Sequence, residues 1–169
     1  PGFMATYAKY LSSEAQDLIT RFSDRIGDWV DGRDGAWTVT HGDYRLDNLL
    51  FASAAGGYPV ATGDWQSPGH AQSTGDVAYF MGAGLLPEHR REVERSLVDE
   101  YGHALAGYGI DLDGAWLWKH CCRDAYAGVV MSVVASQIVE TTDRSESLFV
   151  AMATRHTQHA LDLGSEALL

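Results

Sequence analysis

Leu18, Ile19, Phe22, Ile26 and Trp29 recur three or four positions apart behind the hydroxyls of Ser12 and Ser13 and the carboxylate of Glu14. This spacing predicts one amphipathic helix over residues 12–30, with side-chain acceptors at its start and a stop at Gly32 and Gly35. From Trp37 the period shortens. Trp37–Thr40, Asn48–Ala52 and Val60–Thr62 are short runs with strand-forming residues, and Gly56-Gly57-Tyr58-Pro59 predicts a hairpin turn between the last two. The helical period then returns over residues 76–84, over 87–106 behind Pro87, over 114–139 and over 145–163, with Gly107-Tyr108-Gly109 as punctuation. A helix, a short β region and then helices predict an α+β domain that is mostly α.

Composition narrows the class. A chain of 169 residues, 46% of them hydrophobic, is long enough to bury a core and predicts a single domain over residues 1–169. Twelve Lys and Arg against 23 Asp and Glu give a net charge of −11. Such a surface repels phosphate backbones and anionic lipid, which argues against nucleic acid and membrane partners. Cys121 and Cys122 are adjacent, which is poor geometry for a disulfide, so a reducing, cytoplasmic setting is expected. The longest apolar run, residues 125–139, is shorter than the roughly 20 residues that span a bilayer. Pro1-Gly2-Phe3-Met4 has neither the pattern of a signal peptide nor an initiating Met, so the chain reads as a fragment of a longer protein.

The chemistry concentrates in His41-Gly42-Asp43-Tyr44-Arg45-Leu46-Asp47-Asn48. A carboxylate followed five residues later by an amide is the spacing by which kinase catalytic loops accept a hydroxyl proton and help hold Mg²⁺. Asp43 and Asn48 take those places. Mg²⁺ also needs an anionic oxygen ligand, and Asp64, just past Val60–Thr62, returns beside Asn48 if the hairpin turns at Gly56-Gly57. Arg45 stands where a cation would offset charge on a transferring phosphoryl group.

These residues carry a resemblance. His41-Gly42-Asp43 with Asn48, Gly63-Asp64-Trp65-Gln66, and Gly75-Asp76-Val77-Ala78-Tyr79 resemble the catalytic loop, the metal-binding segment and the following helix start of the aminoglycoside phosphotransferase and choline kinase-like family. The run His41–Phe51 with Asp76–Phe80 is most similar to the branch that includes acyl-CoA dehydrogenase-fused and ecdysteroid kinase-like phosphotransferases. The resemblance covers residues 37–84 and implies the C-terminal, substrate and metal lobe of the protein kinase-like fold, with a β hairpin carrying the catalytic loop. It implies Asp43 and Arg45 as catalytic residues, Asn48 and Asp64 as metal ligands, and His41 and Asp76 as supports of the loop. It further implies Mg²⁺ and ATP, or another nucleoside triphosphate, with a small-molecule hydroxyl as acceptor. The sequence departs from the family pattern at Ala61-Thr62-Gly63, where large apolar residues are usual, and at Gln66, where an acidic residue is frequent. Lys9 and Lys119 are the lysines of the chain, and neither follows a glycine-rich strand-turn-strand, so the nucleotide-binding lobe lies outside it.

Other residues have plainer readings. Asp47 reads as a turn residue, His120-Cys121-Cys122 as a core helix segment, and His156 and His159 with Asp162 as the surface of the last helix. Trp65, Tyr79, Trp116, Trp118 and Tyr126 are divided between core packing and an acceptor pocket. The expected activity is transfer of a γ-phosphoryl group to an alcohol, crippled in the isolated lobe. Two rivals stay open, a non-catalytic kinase-like binding module and a metal-dependent hydrolase using Asp43 and Asp64. The acceptor classes that the resemblance allows are aminoglycosides, choline-like amines, steroids and hydroxyacyl thioesters.

Overall fold

Ser12 opens the first long helix by accepting the Ala15 N–H on its hydroxyl at 3.2 Å. In the computed structural model, which describes residues 1–140 and 142–169, this element follows a short helix α1 (Gly2–Tyr7) and one 3₁₀ turn. The helix expected over residues 12–30 is two helices, α2 (Ser13–Asp24) and α3 (Ile26–Asp31). They part at Arg25, whose guanidinium donates to Asp28 and to the carbonyls of Glu166 and Leu169. A tertiary anchor, absent from any local pattern, makes the break.

Among the described residues, four strands form two separate antiparallel ribbons. β1 (Trp37–Thr40) pairs with β4 (Gly69–Gln72), and β2 (Leu49–Ser53) with β3 (Gly56–Thr62). β4 was not legible in the sequence, since Gly-His-Ala-Gln has little strand propensity. The hairpin turn also differs from expectation. Ser53 faces Gly56 across the ladder, so the chain reverses at Ala54-Ala55, and Gly56 and Gly57 enter β3 with positive φ of 104° and 118°.

The remaining helices are α4 (Gly75–Gly84), α5 (Pro87–Gly107), α6 (Gly114–Asp124), α7 (Tyr126–Ile138) and α8 (Asp143–Asp162). Residues 114–139 thus hold two helices, divided at the buried Ala125. Asp113 caps α6 through the Trp116 N–H, and Thr142 with Ser145 forms a capping box for α8. One apolar core joins Phe3, Tyr7, Leu18, Phe22 and Trp29 to Tyr126, Val129 and Phe149, with Phe22 and Tyr126 stacked at 3.9 Å. A second joins Ala78 and Met81 to Val98, Leu117 and Cys121. Burying these faces is the main stabilising term, worth roughly 1.5–3 kcal/mol for each large side chain.

The face of α8 read as surface is interior. His156 and His159 are fully buried because α8 packs on α2, α4 and α7. Arg90, also buried, pairs with Glu94 and Asp162 and fastens α5 to α8. Burial holds the His156 imidazole down to about 3 and His159 well below the usual range. Among the described residues no helix is long and apolar enough to cross a membrane.

Candidate functional site

β1 ends at Thr40, and the chain enters the loop His41–Asn48 through Gly42. Gly42 has φ of +82°, and a Cβ there would lie 2.5 Å from the Ser67 carbonyl oxygen. Only glycine meets both demands. Behind the loop, the first turn of α4 presents Asp76, whose carboxylate accepts the backbone N–H of His41 at 2.6 Å and of Gly42 at 3.0 Å. These are charge-assisted bonds at a helix start, where an anion is also favoured by the helix dipole.

The His41 ring is buried and joined on both sides. Its Nε2 lies 2.8 Å from the Gly63 carbonyl oxygen, and its Nδ1 lies 3.2 Å from the Asp43 N–H. A carbonyl can only accept and an amide N–H only donates, so the proton sits on Nε2. In that tautomer His41 links the loop to the end of β3, and its ring also meets Trp65 edge-on at 4.7 Å.

The Asp43 carboxylate is held from three directions. Tyr79 on α4 donates its hydroxyl to Oδ1 at 2.8 Å, and Asn48 Nδ2 and Arg45 Nε donate to Oδ2 at 3.1 and 3.2 Å. Asn48 Nδ2 also donates to the Asp43 carbonyl at 2.8 Å. Burial, with the Asp43 charge beside it, pushes the Tyr79 hydroxyl far above the ordinary phenol range. Arg45 reaches Asp47 as well, at 2.8 Å, so Asp47 lies at the exposed edge of the same cluster.

Asp64 is on the facing ribbon. The Gly63 N–H donates to the Asn48 carbonyl at 2.8 Å, one step beyond the β2–β3 ladder, so Asn48 and Asp64 stand at the same open end of the hairpin. Asp64 leaves β3 with φ of +56°, a left-handed conformation uncommon for a side-chain-bearing residue. The donor set fits a hard cation. Asn48 Nδ2 donates twice to Asp43, which turns the side-chain nitrogen toward the loop and leaves the side-chain oxygen, Oδ1, without a hydrogen bond among the described residues. No described side chain donates to the exposed Asp64 carboxylate. Oxygen ligands from one amide and one carboxylate suit Mg²⁺, which takes few ligands from protein. Among the described residues no three His, Cys, Asp or Glu side chains converge on a point that could hold a metal ion.

The loop thus gathers His41, Asp43, Arg45, Asn48 and, behind it, Asp76, with Asp64 across the hairpin end. Tyr79 was legible only as one of several aromatic residues, and its part in the site is visible only in three dimensions. Tyr126 is buried against Phe22 and Trp116 is half-buried against His120, whereas Trp65 is exposed. Cys122 is buried, and burial pushes its thiol up to about 12, which disfavours the thiolate form. A cavity of about 210 Å³ opens beside Arg45, lined also by Leu46, Asp47, Ala83, Met152 and Arg155.

A family model described as the ecdysteroid kinase-like family matches residues 3–112, which contain the loop, the hairpin, α4 and α5. No curated protein and no solved structure gives a significant match.

Proposed function

The chain belongs to the ecdysteroid kinase-like family, and from that premise we propose that it is the substrate and metal lobe of a phosphotransferase. The enzyme moves the γ-phosphoryl group of ATP, or of another nucleoside triphosphate, to a hydroxyl of a small molecule, and its nucleotide-holding lobe is supplied by residues outside this chain. The observation that carries the reading is the Asp43 carboxylate, fixed by Tyr79, Arg45 and Asn48 on a loop that Asp76 braces from behind.

Asp43 accepts the proton of the acceptor hydroxyl as its oxygen bonds to the γ-phosphorus. The bond from that phosphorus to the β–γ bridging oxygen breaks, and the nucleoside diphosphate leaves with the electron pair. Arg45 places a positive charge beside the reacting groups, while Asn48 and Asp64 would hold Mg²⁺. When bound, the ion offsets the charge of the phosphates. The acceptor's body rests in the cavity beside Arg45, between the loop and α8.

The test is ADP release by the full-length polypeptide with Mg-ATP and a panel of steroid alcohols, aminoglycosides, choline-like amino alcohols and hydroxyacyl thioesters. Asp43→Asn should lower turnover by about 10²–10⁴-fold while sparing the fold, because general bases contribute on that scale. Near-normal turnover in Asp43→Asn would remove Asp43 from the reaction. Absence of nucleotide consumption with every acceptor would favour a non-catalytic binding module.

A further inference from the structure

We infer that Tyr79 is a positioning residue for the reaction: its hydroxyl fixes the plane of the Asp43 carboxylate and leaves Oδ1 as the oxygen that receives the acceptor's proton. The inference rests on the reading of Asp43 as the base.

Each carboxylate oxygen has two lone-pair sites. Oδ2 of Asp43 is taken by two donors, Asn48 Nδ2 and Arg45 Nε, whereas among the described residues Oδ1 accepts only the Tyr79 hydroxyl. The remaining lone pair is therefore on Oδ1, next to Tyr79. The last torsion of an aspartate is broad and roughly two-fold, so a carboxylate held at one oxygen alone can rotate. Tyr79 supplies the second point of attachment.

Helical spacing explains why Tyr79 is placed for this. Asp76 and Tyr79 are three residues apart on α4 and so share one face. From that face Asp76 holds the backbone of the loop at His41 and Gly42, and Tyr79 holds the side chain of Asp43. A single rigid helix thus sets both the height of the loop and the orientation of its carboxylate.

The tyrosine is itself tightly packed. It is 2% exposed, and its ring stacks on the buried His156 ring at 5.1 Å and 26°. His156 lies against Gly82 and Gly128, where any Cβ would overlap its imidazole. The hydroxyl therefore has little freedom to follow a wandering carboxylate. Because burial holds the phenol proton in place, Tyr79 acts as a donor and never competes with Asp43 for the acceptor's proton.

The alternative is that Tyr79 is a core residue whose hydroxyl merely found a partner. Tyr79→Phe keeps the ring and its stacking and removes only the donor, so it separates the two. In the full-length polypeptide, with the acceptor identified by ADP release, Tyr79→Phe is expected to lower kcat by about 10- to 100-fold. KM for ATP and for the acceptor should stay within about twofold, and Tm should stay close to the parent. A kcat within about twofold of the parent overturns the inference, as does a fall in rate that tracks only a fall in Tm. Asp43→Asn, measured alongside, keeps the two readings apart. If it is inactive while Tyr79→Phe is normal, only the role of Tyr79 fails, and if it turns over normally the base assignment itself is wrong.

Discussion

The backbone N–H of His41 meets the Asp76 carboxylate at 2.6 Å across 35 positions of the chain. With the companion bond to Gly42, a single side chain orders two consecutive amides at the entry to the loop. Amides that point the same way cannot both be satisfied by a neutral acceptor as well as by a carboxylate, because the carboxylate offers two acceptor oxygens and full charge.

Asp76→Ala should accordingly destabilise the protein by about 2–4 kcal/mol, since two hydrogen bonds to a charged group are lost and two partly buried donors are stranded. Urea denaturation gives the stability change, and hydrogen exchange at the His41 and Gly42 amides shows where it acts. Unchanged protection of those two amides would mean that the loop holds itself without Asp76.

Gly128→Ala should cost about 1–3 kcal/mol, because the new methyl group overlaps His156 in a tightly packed interior. The informative variant is the pair with His156→Ala. That change opens a void of its own, yet it removes the obstruction, so the double mutant should lose less than the two single losses combined. Strictly additive midpoints in denaturant would show that the ring and the glycine do not constrain each other.

Acid should weaken the fold through the same histidines. Burial, with Arg155 nearby, holds His156 down to about 3, and burial with Arg90 and His156 holds His159 low as well. Unfolded histidine takes up a proton near pH 6.5, so below that value the unfolded state binds more protons and stability falls with pH. By pH 5 His156 accounts for about 2 kcal/mol of lost stability, and His159 adds to the loss in the same direction. Asp124, pushed up to about 6 by burial, acts the other way between roughly pH 6 and 4 and offsets part of the loss. Urea midpoints at pH 7.5 and 5 measure the slope, which His156→Gln should flatten. An equal slope in that variant would clear His156 of any part in it.

Much of this was legible in one dimension because it depends on local physics. Ser12 as a cap, Pro87 at a helix start, the apolar stripe of α2 and the spacing of Asp43 to Asn48 are all short-range patterns, and each has its counterpart in the folded chain. What failed was set by distant partners. Arg25 breaks a helix by reaching Glu166 and Leu169, and β4 exists because Trp37–Thr40 lies beside it. His156 and His159 looked like a polar surface because the sequence does not say that α8 is enclosed by other helices. Tyr79 was unremarkable for the same reason, since its meaning comes from Asp43, 36 positions away.

The division of the strands into two ribbons bears on how the site behaves in time. Asp43 is attached to helix α4 through Tyr79 and Asp76 and bonded to the buried Asn48, whereas Asp64 stands exposed at the end of a ribbon that is itself largely exposed. An isolated two-stranded ribbon is marginal in water, and exposed elements with few buried contacts open long before a packed core does. His41, bonded to Gly63 on one side and to Asp43 on the other, is the seam between the stiff part and the yielding part. Opening of the ribbon would therefore draw Asp64 away from Asp43 and Asn48, which stay joined to each other, without unwinding α4.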